Sequence, residues 1–196
     1  MSIILPEILY HGTTTKSLHI MKKELINKGY WKTGRDFGKG LYTTVNLAQA
    51  KVFANIKSNN PKNLPCVIKL KVENIDLSTY RKKIFLGASI NWASLIYNHR
   101  IHEVGFSEYD LIVGPLADSS MRKVILECKL KQHSINWFYE NVIRNKESKL
   151  IEDLGSQIVF SNGEFAKEVL SIDGWYIRSN GGWIYESVGK RDASSL

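Results

Sequence analysis

Apolar and polar positions alternate in short runs and are separated by stretches of helical period, which predicts a mixed fold of strands and helices. Ile8-Leu9-Tyr10 reads as a short buried strand ending at His11-Gly12, and Thr15 to Ile20 begins a helix with hydroxyl capping candidates. Leu41-Tyr42-Thr43-Thr44 is strand-like, and Asn46 is placed to cap a helix whose apolar side takes Leu47, Ala50, Val52, Phe53 and Ala54. The polar, proline-containing stretch 58–63 ends that helix and leads into an alternating strand over Val67 to Val72. A second apolar-alternating segment is Val124-Ile125-Leu126-Glu127. An apolar helix is expected between about Phe85 and Arg100, and Tyr109 to Pro115 reads as a buried strand stopped by Gly114-Pro115. Further on come a helix near Ile135 to Ile143, a strand over Gln157 to Phe160, and a helix near Gly163 to Leu170. Trp175-Tyr176-Ile177 and Trp183-Ile184-Tyr185, joined through Asn180-Gly181-Gly182, predict a β-hairpin. The expected fold class is α+β: one domain over residues 1–172, with a C-terminal hairpin appendage over 173–196 that belongs to it.

Composition narrows this only slightly. With 196 residues, 43% hydrophobic and 23% charged, the chain has the material for one full-sized core. No apolar run is long enough to span a bilayer, and the N-terminus lacks the features of a signal peptide, so a cytoplasmic protein with no membrane partner is expected. Cys66 and Cys128 read as buried thiols, not as a disulfide or metal pair. His99 and His102 have no third ligand at convincing spacing and read as surface-loop residues, so no metal is expected. The net charge of +8 suits phosphate-rich partners and equally suits a solvated basic surface.

Three segments carry candidate chemistry by their order: His11-Gly12-Thr13, then Asp36-Phe37-Gly38-Lys39-Gly40-Leu41-Tyr42, then Gln157-Ile158-Val159-Phe160. Each has a plain structural alternative, namely a loop histidine, a turn before a core tyrosine and a buried strand. Together they resemble the ADP-ribosyltransferases of the diphtheria-toxin and poly(ADP-ribose) polymerase branch, with glutamine at the position where that branch has glutamate. Gln49-Ala50 and Tyr109 to Asp118 add likeness to a bacterial family of predicted small ADP-ribosyltransferases. The likeness spans most of residues 8 to 170 and implies a split β-core of short strands with flanking helices.

What the resemblance implies is a pocket that holds NAD, the co-substrate, bent so that its nicotinamide–ribose bond is exposed. Cleavage there develops oxocarbenium character, as in glycoside cleavage, and positioning contributes much of the rate. His11 would hydrogen-bond the adenosine ribose, the Gly12 backbone would pair with the carboxamide, and Thr13 would support the same edge. Tyr42 would stack on the nicotinamide, and Phe53 falls where a second stacking aromatic is placed or is a core residue. Ala50 stands where the polymerase branch has a hydroxyl residue. Gln157 accepts a hydrogen bond but carries no charge and is no general base. A nearby carboxylate, Asp110, Asp118 or Glu164, is the candidate helper, each with an alternative as a turn or cap residue; Asp118 is preferred because it follows a strand-ending turn.

The expected function is mono-ADP-ribosylation of an intracellular macromolecule, with RNA favoured over protein. The resemblance and the small size suggest the toxin of a bacterial toxin-antitoxin or phage-defence system, with a cognate antitoxin as a further partner. The alternatives are a catalytically weak module binding NAD or ADP-ribose, and an NAD glycohydrolase. The aromatic hairpin reads either as a stacking platform for single-stranded nucleic acid or as a cover for the core.

Overall fold

The computed structural model describes residues 5–58, 62–117, 121–143 and 148–189. In chain order its first elements are β1 (Ile8–Thr14), α1 (Thr15–Met21), β2 (Leu41–Thr43), α2 (Leu47–Lys57), β3 (Pro65–Val72), β4 (Lys82–Ile84), α3 (Ile90–Arg100) and β5 (Leu111–Pro115). There follow α4 (Met121–Lys131), α5 (Ile135–Val142), α6 (Ile151–Leu154), β6 (Ser156–Phe160), α7 (Gly163–Val169), β7 (Leu170–Ser179) and β8 (Gly182–Ser187). The described residues therefore form a mixed α+β chain with two four-stranded sheets and seven α-helices. The chain divides into two compact units, one made of residues 1–27, 43–77 and 166–196 and the other of 28–42 and 78–165.

The first unit is built on an antiparallel sheet in the order β1-β3-β7-β8. Ala50 and Ala54 of α2 pack with Val67, and Tyr10, Leu47, Tyr176 and Trp183 close around them. The fully buried residues of the helix are its small ones, Ala50 and Ala54. Val52 and Phe53, expected on its apolar side, are instead 57% and 40% exposed. Asn46 caps α2 as expected, its Oδ1 accepting from the Gln49 N–H at 3.1 Å. Residues 173–179, expected in an appendage, lie inside this sheet, because β7 pairs with β3 from Cys66↔Ile177 to Val72↔Leu170 and with β8 on its other side. Asn180 and Gly181, at φ +49° and +84°, make the two-residue turn that returns the chain into β8.

In the second unit the sheet order is β2-β6-β5-β4, with β5 antiparallel to β6 and parallel to β4. Its core gathers Phe37, Phe85, Trp92, Ile96, Ile112, Phe138 and Val159 under α3, α4 and α5. The segment Val124 to Glu127, expected to alternate, is helical as part of α4. Met121, Val124 and Cys128, spaced by three and four, are its buried residues, and a four-residue window is too short to show that period. The helix expected from about Phe85 starts at Ile90, where the Ser89 hydroxyl caps it by accepting from the Trp92 N–H at 3.2 Å. Both cysteines are free and buried, as expected.

Candidate functional site

In the first unit, β1 continues through His11, Gly12 and Thr13 instead of ending at His11-Gly12. Tyr10 exchanges backbone hydrogen bonds with Thr44, at 2.8 Å from its N–H and 2.9 Å to its carbonyl. Backbone groups two residues apart along a strand point the same way, so the N–H and C=O of Gly12 are also directed to the edge of β1 away from β3. The Gly12 carbonyl accepts from Lys57 Nζ at 2.7 Å. The other face of Gly12 explains the glycine. A Cβ there would lie 2.3 Å from the Ala50 carbonyl oxygen and 3.0 Å from Phe53 Cβ, so the missing side chain lets α2 close onto the strand. Gly12 and Phe53 are thus neighbours, with the Phe53 side chain still partly exposed. His11 and Thr13 project on the opposite face from the Gly12 position, His11 half-buried and Thr13 buried.

In the second unit the Asp36 to Tyr42 segment is a turn whose residues hold one another. The Tyr42 hydroxyl donates to the Gly38 carbonyl at 2.7 Å and accepts from the Phe37 N–H at 3.0 Å, while its half-buried ring packs on the core. Burial, and after it the Asp36 carboxylate, pushes the Tyr42 phenol far above its ordinary range. Gly38 sits at φ +78°, and a Cβ on it would meet the His99 ring at 2.7 Å. The Lys39 N–H reaches the Gly105 carbonyl at 2.8 Å, which ties the turn to the loop after α3.

Gln157 is 4% exposed and sits opposite Gly114 in the β5–β6 pair. Its Nε2 donates to Asp36 Oδ2 and to the Pro115 carbonyl, both at 3.2 Å. Asp36 in turn accepts at Oδ1 from Arg100 Nε (2.8 Å) and Nη2 (2.5 Å), and Arg100 Nη1 donates to the Gly34 carbonyl at 2.5 Å. Trp92 Nε1 completes the group by donating to the same Pro115 carbonyl at 3.2 Å. Tyr42 and Gln157 therefore meet the same turn, one through Phe37 and Gly38 and the other through Asp36.

A family model described as a protein of unknown function, DUF3990, matches residues 7–170. The chain belongs to the DUF3990 family. No curated protein and no solved structure matches it. The DUF3990 match takes in β1 through α7, and with them every candidate site residue, and ends at the first residue of β7.

Of the carboxylates singled out from the sequence of this DUF3990 chain, Asp110 has structural work. Asp110 accepts from the Arg81 N–H at 2.8 Å and from Asn162 Nδ2 at 2.9 Å, so it fastens the entry of β5. Glu164 is exposed on the first turn of α7, and Asp118 lies outside the described residues. His99 is not a surface-loop residue: it is 2% exposed near the end of α3. Its Nδ1 donates to the Val104 carbonyl at 2.6 Å, which fixes the tautomer. His102 is exposed and meets the Tyr97 ring edge-on. Among the described residues no three His, Cys, Asp or Glu side chains cluster as metal ligands, and no helix is long and apolar enough to cross a membrane. Sequence reasoning missed Arg100 and Lys57 altogether. Asp36 stood in the motif without a partner, since a salt bridge to a residue 64 positions away leaves no local signal.

Proposed function

We propose that the chain is an NAD-dependent mono-ADP-ribosyltransferase acting on a macromolecule, in which His11, Gly12, Thr13, Tyr42 and Phe53 bind NAD and His11, Tyr42 and Gln157 serve its cleavage. The reading is carried by the outer edge of β1. One edge of a carboxamide offers a donor and an acceptor in a plane, and a strand edge that directs the N–H and C=O of a single residue outward supplies their complement. Gly12 is that residue, with the partly exposed Phe53 beside it. The Lys57 ammonium on the Gly12 carbonyl leaves that oxygen a second lone pair. Two four-stranded sheets of short strands with flanking helices also suit the split β-core of the transferases that the sequence resembles.

RNA is the favoured acceptor over protein because the +8 charge favours a polyanion. A toxin acting inside a bacterial cell, opposed by an antitoxin, fits the same resemblance. The test is incubation with NAD labelled in its adenylate half and a whole-cell lysate, followed by separate nuclease and protease digestion. Label is expected in a macromolecule and should be released by nuclease. His11→Ala and Tyr42→Ala should each lower kcat/KM by about 10- to 100-fold, equivalent to roughly 1.4–2.7 kcal/mol of lost transition-state binding. Unchanged rates in both would remove the site assignment.

The neutrality of Gln157 favours a second reading, a module that binds NAD or ADP-ribose without turnover. NAD binding by calorimetry with no nicotinamide released at high protein concentration would identify it. Free ADP-ribose with no labelled macromolecule would mark an NAD glycohydrolase instead.

A further inference from the structure

The amide of Gln157 has only one orientation open to it. Asp36 Oδ2 and the Pro115 carbonyl both face the same amide atom at 3.2 Å, and both are acceptors, so that atom must be the nitrogen. Both Nε2 hydrogens are then used inside the protein. Oε1 is left with its lone pairs uncommitted to any described residue. Asp36 cannot swing away to release the amide, because its other oxygen is held by Arg100, which is itself anchored on the Gly34 carbonyl.

We propose that Asp36, fixed by Arg100, is a positioning residue that makes position 157 a neutral hydrogen-bond acceptor, turning Nε2 inward and presenting Oε1 to a substrate hydroxyl. This rests on the reading of an NAD site, where the hydroxyl is one of the nicotinamide ribose. Gln157 is therefore not a glutamate site that has lost its charge. A glutamate in its place would set a carboxylate oxygen against Asp36 and the Pro115 carbonyl at hydrogen-bonding distance, and two carboxylates so close do not both ionise. The double substitution D36N/Q157E exchanges charge and amide and removes the clash between carboxylates, while the Pro115 carbonyl still faces an oxygen and Arg100 loses its carboxylate.

The experiment compares the wild-type chain with Q157E, D36N and D36N/Q157E, first by thermal denaturation and then by NAD turnover under conditions where each form is folded. Q157E is expected to lower Tm by about 5 °C or more, as a loss on the order of a hydrogen-bonded buried contact would. D36N/Q157E should regain part of that shift, the part that comes from the clash with Asp36. In nicotinamide release, Q157E should lose at least about tenfold in kcat with KM within about threefold, and the double variant should recover part of that loss. A purely structural role would move Tm and leave kcat of the folded protein in place. If Q157E does not fold, recovery of folding in D36N/Q157E carries the same coupling. A Q157E protein as stable and active as wild type, or a double variant whose losses are the sum of the singles, overturns the proposal. Coupling in stability with no NAD turnover in any form leaves the amide specification standing and removes the NAD reading.

Discussion

At Gly12 the missing side chain makes room for a helix, whereas at Gly38 it lets the backbone turn as well as leaving room for the His99 ring. Gly12 lies in a regular strand, and its constraint is the Ala50 carbonyl 2.3 Å from where a Cβ would be. Gly38 lies at φ +78°, where a side chain is strained whatever the space around it. The first unit therefore presents a backbone edge through packing of a neighbouring element. The second presents Tyr42 and Gln157 through a turn that hydrogen-bonds to both. Two glycines that look alike in a motif thus share close packing, and only Gly38 adds a left-handed backbone.

The largest expected effect breaks that comparison most directly. Gly12→Ala forces a Cβ into a helix backbone atom that cannot swing aside, and should destabilise the protein by about 3 kcal/mol or more, the upper range for overpacking. Gly34→Ala isolates the other cause, since Gly34 has φ +65° and nothing within 4 Å of an added Cβ. Its cost should be only that of the left-handed backbone, about 1–2 kcal/mol. Urea denaturation of the two variants measures both, and equal losses would mean that α2 yields to the side chain.

The same contrast explains what the sequence disclosed. Strands and helices with a clear period were legible: β1, α2 with its Asn46 cap, β3, β5, β6 and the β7–β8 hairpin all appear close to where alternation and turn residues put them. The faces were less legible. Val52 and Phe53 look like core positions by composition, yet α2 buries Ala50 and Ala54 because only small residues permit the approach that Gly12 requires. Helix α4 was hidden because its buried residues, Met121, Val124 and Cys128, are spread over a stretch dense in basic residues. At the candidate site, the motif segments were visible from glycine spacing and resemblance. The Arg100–Asp36–Gln157 chain was not, because it joins three distant stretches through side chains. The same distance hid Lys57, 45 residues from the Gly12 carbonyl it meets.

A smaller effect sharpens the account of the turn. Tyr42→Phe keeps the ring but leaves the Phe37 N–H and the Gly38 carbonyl without the hydroxyl that joins them. The loss should be about 1–3 kcal/mol at neutral pH, the range for leaving partly buried polar groups unsatisfied. Its pH dependence has a definite sign. Burial raises the phenol in the folded state above the ordinary tyrosine value of about 10, so its contribution is complete below about pH 10 and is lost as the unfolded chain ionises above it. Wild type should therefore lose stability above about pH 10 more steeply than Tyr42→Phe. Parallel curves would mean that the hydroxyl is not held in the turn.

The smallest effect separates the two units by chemistry that each carries once. Cys66 belongs to the first unit and Cys128 to the second, and both are free and buried. Burial, then Glu186, pushes the Cys66 thiol up to about 12, and burial followed by Glu127 raises Cys128 as well. The thiolate is the reactive form, so neither should react appreciably with an alkylating reagent at about pH 8 in the native protein. Opening should distinguish them. Cys66 sits in β3, paired on one side with β1 and on the other with β7, so its exposure requires that sheet to come apart. Cys128 lies on α4, whose exposure needs only one helix to leave the core. Pulsed alkylation read by mass spectrometry in sub-denaturing urea should label Cys128 first, by local opening of lower free energy than global unfolding. Equal labelling rates would mean that α4 opens only when the whole chain unfolds, and that the two units, distinct in their sheets and in the work of their glycines, share one cooperative transition.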